Sequence, residues 1–63
     1  RRETREEMLA AMTDKQREVF VYYHKYNWTQ QQIAEVIGIS RDSVNDRLEG
    51  AYKKAKMVIQ KAR

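Results

Sequence analysis

The sequence predicts an all-α domain, a small four-helix bundle, from three observations. Proline is absent and glycine occurs only at Gly38 and Gly50, a composition that permits long helices and leaves few places for sheet turns. Apolar residues recur three and four positions apart along most of the chain, as the buried stripe of a helix requires. Hydroxyl residues followed three positions later by Glu or Gln mark helix starts at Thr4, Thr13 and Thr29. The 63 residues make one domain, 1–63, and at this length only about 60 % of the unfolded surface is buried on folding. With no cysteine and a single histidine, His24, neither disulfides nor a Cys/His zinc site can supplement the core. Stability has to come from helix packing and caps.

The first helix is expected over residues 5–11, where Thr4 and Glu7 fit a capping box and Met8, Leu9 and Met12 form a short apolar stripe. Thr13 with Gln16 repeats the capping signal. Val19, Phe20, Tyr22, Tyr23 and Tyr26 then recur at helical spacing, so a second helix is expected over 14–26, ended by Asn27. Those tyrosines share one side with Val19, and this spacing reads as core rather than as a stacking platform for bases. His24 falls off the stripe and reads as a surface residue.

A third helix, 30–37, opens with a box of Thr29 and Gln32, and Trp28 and Ile33 occupy the two positions of a hydrophobic staple. Gly38 sits where a helix end wants a left-handed residue without a Cβ penalty. Ser40 is then the N-cap of a fourth helix over 41–60, with Ile39 and Val44 as its staple. Val44, Leu48, Ala51, Tyr52, Ala55, Val58 and Ile59 fall on one stripe of this helix, leaving Asp42, Asn45, Asp46, Glu49, Lys53 and Lys56 on the other side. Gly50 inside it costs about 1 kcal/mol relative to alanine, so it either lets another backbone come close or marks where the helix softens. Residues at the two ends, 1–3 and 61–63, are expected to fray.

Thirteen basic residues against nine acidic ones give a net charge of +4, compatible with a polyanionic partner. From Gly50 onward the chain carries Lys53, Lys54, Lys56, Lys61 and Arg63 and no acid, so the extension 50–63 has a charge of +5. No apolar run approaches a membrane span or a secretory signal, and a cytosolic protein is expected. The opening Arg1-Arg2 in place of methionine reads as a piece of something longer.

Two helices joined by a short glycine-containing turn have the geometry of a helix-turn-helix, here 29–48, whose second helix lies in a major groove. A capped corner in an ordinary bundle is the alternative. Ala34, small where the two helices cross, the Ile39–Val44 staple and the short hydrogen-bonding side chains of the fourth helix's first two turns favour the former.

From Thr13 to Lys56, about 44 of 63 residues, the chain resembles the promoter-recognition domain of bacterial sigma factors, their region 4. TDKQREVFVYY is similar to the helix before the motif, TQQQIAEVIGIS to its first helix and turn, and RDSVNDRLEGAYKKAK to its recognition helix with a basic extension. The DNA-binding domains of LuxR-type regulators share much of the pattern, and the RLEGAYKKAK segment favours the sigma-like branch. The resemblance implies a bacterial or phage transcription factor whose Arg41, Asp42, Asn45 and Asp46 face a −35-like promoter element, with Ser43 among them. The residue chemistry fits in part. Asn45 can bond adenine bidentately, an arginine can pair with guanine or phosphate, and a carboxylate can accept from cytosine N4. Thr29, Gln30 and the free amides at the start of the third helix offer an anion site, and Arg47, Lys53, Lys54 and Lys56 add sequence-independent attraction.

Asp42, Asp46 and Glu49 depart from the family by placing carboxylates where phosphates pass, which implies weak affinity for isolated DNA. In sigma proteins the preceding helices also dock on the β flap of RNA polymerase, so the resemblance makes Met8, Met12, Phe20 and Val21 candidates for polymerase contact. A protein-interaction module that binds polymerase or a regulator without reading DNA is one rival; a LuxR-like domain dimerising through the end of the fourth helix is another. Catalysis has little support: Ser40 and Ser43 have no base indicated beside them, no glycine-rich phosphate loop occurs, and the acids are spaced for solvent. No cofactor, metal ion or small-molecule substrate is expected.

Overall fold

The computed structural model describes residues 2–61, with side chains from residue 5 onward. Four helices follow one another: α1 (Arg2–Ala11), α2 (Asp14–His24), α3 (Gln30–Ile37) and α4 (Arg41–Lys61). The last is the long axis on which the other three pack. The start of α1 at Arg2 corrects the expected start at residue 5, since Thr4 lies within the helix; its side chain is outside the described residues, as is Arg63 of the basic extension.

The local start signals fold as boxes. Thr13 Oγ1 accepts from Gln16 N at 3.1 Å while Gln16 Oε1 accepts from Thr13 N at 3.0 Å. Thr29 and Gln32 do the same at 3.1 and 2.9 Å. Ser40 Oγ accepts from Ser43 N at 3.1 Å, which makes Ser40 the cap of α4. The expected second helix was too long by two residues. Asn27 turns left-handed (φ 58°) and Trp28 N reaches back to Tyr22 O at 3.0 Å, so the chain leaves helical geometry before Tyr26. At the end of α3, Gly38 is left-handed (φ 83°), and both Gly38 N and Ile39 N donate to Ala34 O.

Two buried clusters divide the core along α4. Val19, Ile33, Ala34, Val44 and Leu48 form one, with Tyr22, Tyr23, Trp28, Ile37 and Ile39 packed against it. Met12, Ala51 and Ala55 form the other, flanked by Met8, Leu9 and Phe20. Tyr26, placed with the core tyrosines by its spacing, is 53 % exposed because it lies beyond the end of α2. Tyr52 and Ile59, expected on the buried stripe of α4, are 41 % and 46 % exposed, because they sit on its flank rather than its centre line. Gly50 admits a close neighbour: a Cβ there would stand 2.5 Å from Gln16 Nε2, so the side chain that completes the α2 box lies across the middle of α4. That neighbour is a side chain, not a backbone.

Arg17 holds α1 to α2. Its Nε donates to Leu9 O at 2.8 Å and its second terminal nitrogen to Met12 O at 3.0 Å, while the first pairs with Asp14 at 3.1 Å. A helix end leaves its last carbonyls without intrahelical partners, and one guanidinium fork supplies donors to two carbonyls at the close of α1.

Candidate nucleic-acid interface

α3, the glycine turn and α4 make a corner fixed from both sides. The left-handed Gly38 closes α3, the Ser40 cap opens α4 two residues later, and the fully buried Ile33, Val44 and Leu48 hold the two helices against α2. With its centre line buried, α4 presents Arg41, Asp42, Asn45, Asp46, Glu49, Lys53 and Lys56 to solvent. Among the described residues the one ion pair is that of Arg17 with Asp14. The charges on the outward face of α4 are therefore not neutralised by one another.

The structure sorts the sequence-predicted residues. Arg41 lines the same concave surface as Trp28, Thr29 and Gln30, so the first residue of α4 stands beside the start of α3. The first intrahelical bond of α3 comes from Ile33 N to Thr29 O, and Thr29 Oγ1 takes Gln32 N, which leaves the amides of Gln30 and Gln31 directed out of the helix start. An amide pair, a hydroxyl and a guanidinium on one concave surface is an arrangement suited to a phosphate. Ser43 is corrected in part: half-buried, its hydroxyl is turned back to accept from Ser40 at 2.9 Å, so it belongs to the cap rather than to the outward face. Arg47 and Lys54 are half-buried on the flank, whereas Lys53 and Lys56 are exposed in line with the outward residues.

A second concave surface runs between α1 and α2. Met8, Leu9, Phe20 and Val21 form its apolar floor between Arg5 and Lys25. Met12 is corrected: at 3 % exposure it is sealed against Ala51 and Ala55 and cannot be presented to a partner. Leu9 takes the place it was expected to fill; the signal was its position next to Met8 on the same short stripe. His24 is exposed, as its place off the stripe implied, yet it is engaged. Its Nε2 lies 2.8 Å from the Tyr52 hydroxyl, and its ring lies tilted against Phe20 with centroids 4.5 Å apart. The Tyr52 hydroxyl is held above the ordinary tyrosine value of 10.0, first by burial and then by the nearby Tyr23.

Among the described residues no three His, Cys, Asp or Glu side chains come together as a metal site requires, and no helix is long and apolar enough to cross a membrane. Residues 8–56 match the family described as sigma-70, region 4. The chain belongs to the sigma-70 region 4 family. The match takes in α2, α3 and all of α4 up to Lys56, together with the end of α1 from Met8. That family is one of DNA-binding, non-catalytic domains. A UPF0122 protein of Caldanaerobacter subterraneus subsp. tengcongensis is 43 % identical over 42 residues, which are 67 % of this chain and 36 % of that protein. The chain thus spans little more than a third of that relative's length. No solved structure matches the chain.

Proposed function

We propose that this region 4 domain recognises a promoter-like element in duplex DNA with the outward face of α4 and docks on RNA polymerase through the groove between α1 and α2, in the cytoplasm of its host. The observation that carries the DNA reading is the position of Arg41. Beside Thr29 and the outward amides of Gln30 and Gln31, it shares a concave surface at the mouth of the corner, and a phosphate held there directs Asn45 and its neighbours toward base edges. Lys53 and Lys56 add backbone attraction further along the same helix.

An NMR titration of the labelled chain with a promoter-like duplex and a scrambled one, at two salt concentrations, tests this. Shifts concentrated at Thr29–Gln31 and Arg41–Arg47, weakened by salt and larger for one sequence, are expected. Shifts absent, or confined to the lysines, would overturn it and leave a protein partner as the function. A specific observation favours the docking half as well: four apolar side chains share one groove rimmed by Arg5 and Lys25, although an isolated exposed valine needs no explanation. Val21→Asp is expected to keep the helical spectrum and lose binding to RNA polymerase. Unchanged polymerase binding by that variant would remove the groove from the function.

A further inference from the structure

The outward face of α4 is divided along its length. Asp42, Asn45, Asp46 and Glu49 follow one another at steps of three, one and three residues, and Lys53 and Lys56 continue the same line, all exposed. At 1.5 Å per residue the stretch from 42 to 49 spans about 10 Å, close to the ~12 Å width of the DNA major groove, and the two lysines lie roughly 6–10 Å beyond it. A helix seated by its first turns therefore keeps its carboxylates inside the groove and brings its lysines to the groove wall, where the phosphates run.

An ionised carboxylate only accepts hydrogen bonds. In the major groove the donors are the N4 amine of cytosine and the N6 amine of adenine, whereas guanine and thymine turn O6, N7 and O4 acceptors outward. None of the three carboxylates has an ion-pair partner among the described residues, so each is free to meet a donor on the DNA. A carboxylate desolvated against an acceptor edge is left unpaired, which is strongly unfavourable.

We infer that Asp42, Asp46 and Glu49, with Asn45 between them, favour duplexes in which the one amine of each base pair falls on the same strand over consecutive pairs, and disfavour by repulsion those in which the amines switch strands. This rests on the DNA reading above and names the class of site it takes. Attachment resides in Lys53 and Lys56, and choice resides in residues 42–49. The carboxylates weaken binding to every duplex except those that line their amines up on the contacted strand.

The test is selection from a randomised duplex library by the 63-residue chain, followed by fluorescence anisotropy on the enriched duplex and on a random one. The variants are the triple Asp42→Ala, Asp46→Ala, Glu49→Ala and the double Lys53→Gln, Lys56→Gln; all five positions are exposed, and circular dichroism checks the helices. The wild-type chain is expected to enrich cytosine and adenine runs on the contacted strand. The triple variant is expected to bind the random duplex about tenfold more tightly, as lost repulsion implies, while its preference falls by at least roughly fivefold. The lysine variant is expected to weaken on both duplexes equally. Enrichment of sites in which cytosine and adenine alternate with guanine and thymine along each strand, or a triple variant with unchanged preference and unchanged random affinity, would overturn the carboxylate filter and leave DNA reading intact. A wild-type chain that enriches no duplex at low salt would overturn both.

Discussion

Along its first half α4 packs on α2 and α3 through Val19, Ile33, Val44 and Leu48, none more than 1 % exposed. Along its second half it packs on α1 through Met12 and two alanines, Ala51 and Ala55. The first contact fills space with branched side chains and is bounded by caps on both sides of the glycine turn. The second brings two helices together over small residues, and among the described residues the only polar tie on α1 there comes from Arg17 of α2 rather than from α4. The difference teaches where a small bundle spends its limited apolar material. The end that carries the proposed interface is packed densely, and the other end keeps apolar surface uncovered in the groove of Met8, Phe20 and Val21.

Substitutions at the two ends can break or sharpen this contrast. Leu48→Ala is expected to have the largest effect, about 2–5 kcal/mol, enough in a domain of this size to abolish a cooperative thermal transition followed by circular dichroism. Arg17→Ala follows at about 1–3 kcal/mol, since it leaves two partly buried carbonyls without a charged donor. Its amide spectrum should change in α1 while the α3–α4 resonances stay in place; an equal loss at both ends would dissolve the distinction. Gly38→Ala is expected to cost about 1–2 kcal/mol in a denaturant titration. That cost is backbone strain at a left-handed residue, because nothing lies within 4 Å of the added Cβ. The smallest effect concerns Tyr52 at the junction of the two ends. Its folded-state pKa is raised above 10.0, so the proton is bound more tightly in the folded chain. The associated stability is fully present below that value and is lost as pH rises through the folded value. Tyr52→Phe should flatten that part of the alkaline decline in melting temperature.

What was legible in the sequence was local. The boxes at Thr13 and Thr29, the cap at Ser40 and the left-handed Gly38 are decided within four residues, and all four formed. The stripe through Val44, Leu48, Ala51 and Ala55 was legible for the same reason, since 3.6-residue periodicity needs no partner to be counted. Contacts that cross the chain were not. Arg17 gave no sign of its role because the two carbonyls it bonds lie at the close of the preceding helix, and Gln16 gave no sign that it would lie over Gly50, far along the sequence. The same limit applies to the candidate interface. The outward face of α4 could be laid out from spacing alone, yet the placing of Arg41 beside Thr29 and Gln30 depends on the angle at the glycine turn. Met12 misled because apolar spacing marks a stripe without saying which of its members the partner helix covers.

The division of the core also sets an order of assembly. Ile33 and Leu48, in the first cluster, are 15 positions apart, whereas Met12 and Ala51, in the second, are 39 apart. Closing the longer loop costs roughly 0.8 kcal/mol more in chain entropy and is rewarded by three buried residues rather than five. We therefore expect α1 to dock last on folding and to open first in the native ensemble. Native-state hydrogen exchange would show it as α1 amides released at lower free energy than those of residues 44–48; uniform protection across α1 and α4 would rule it out. A partner that fills the groove beside α1 then acts on the least settled helix of the molecule, stabilising the docked arrangement after the reading corner is already built.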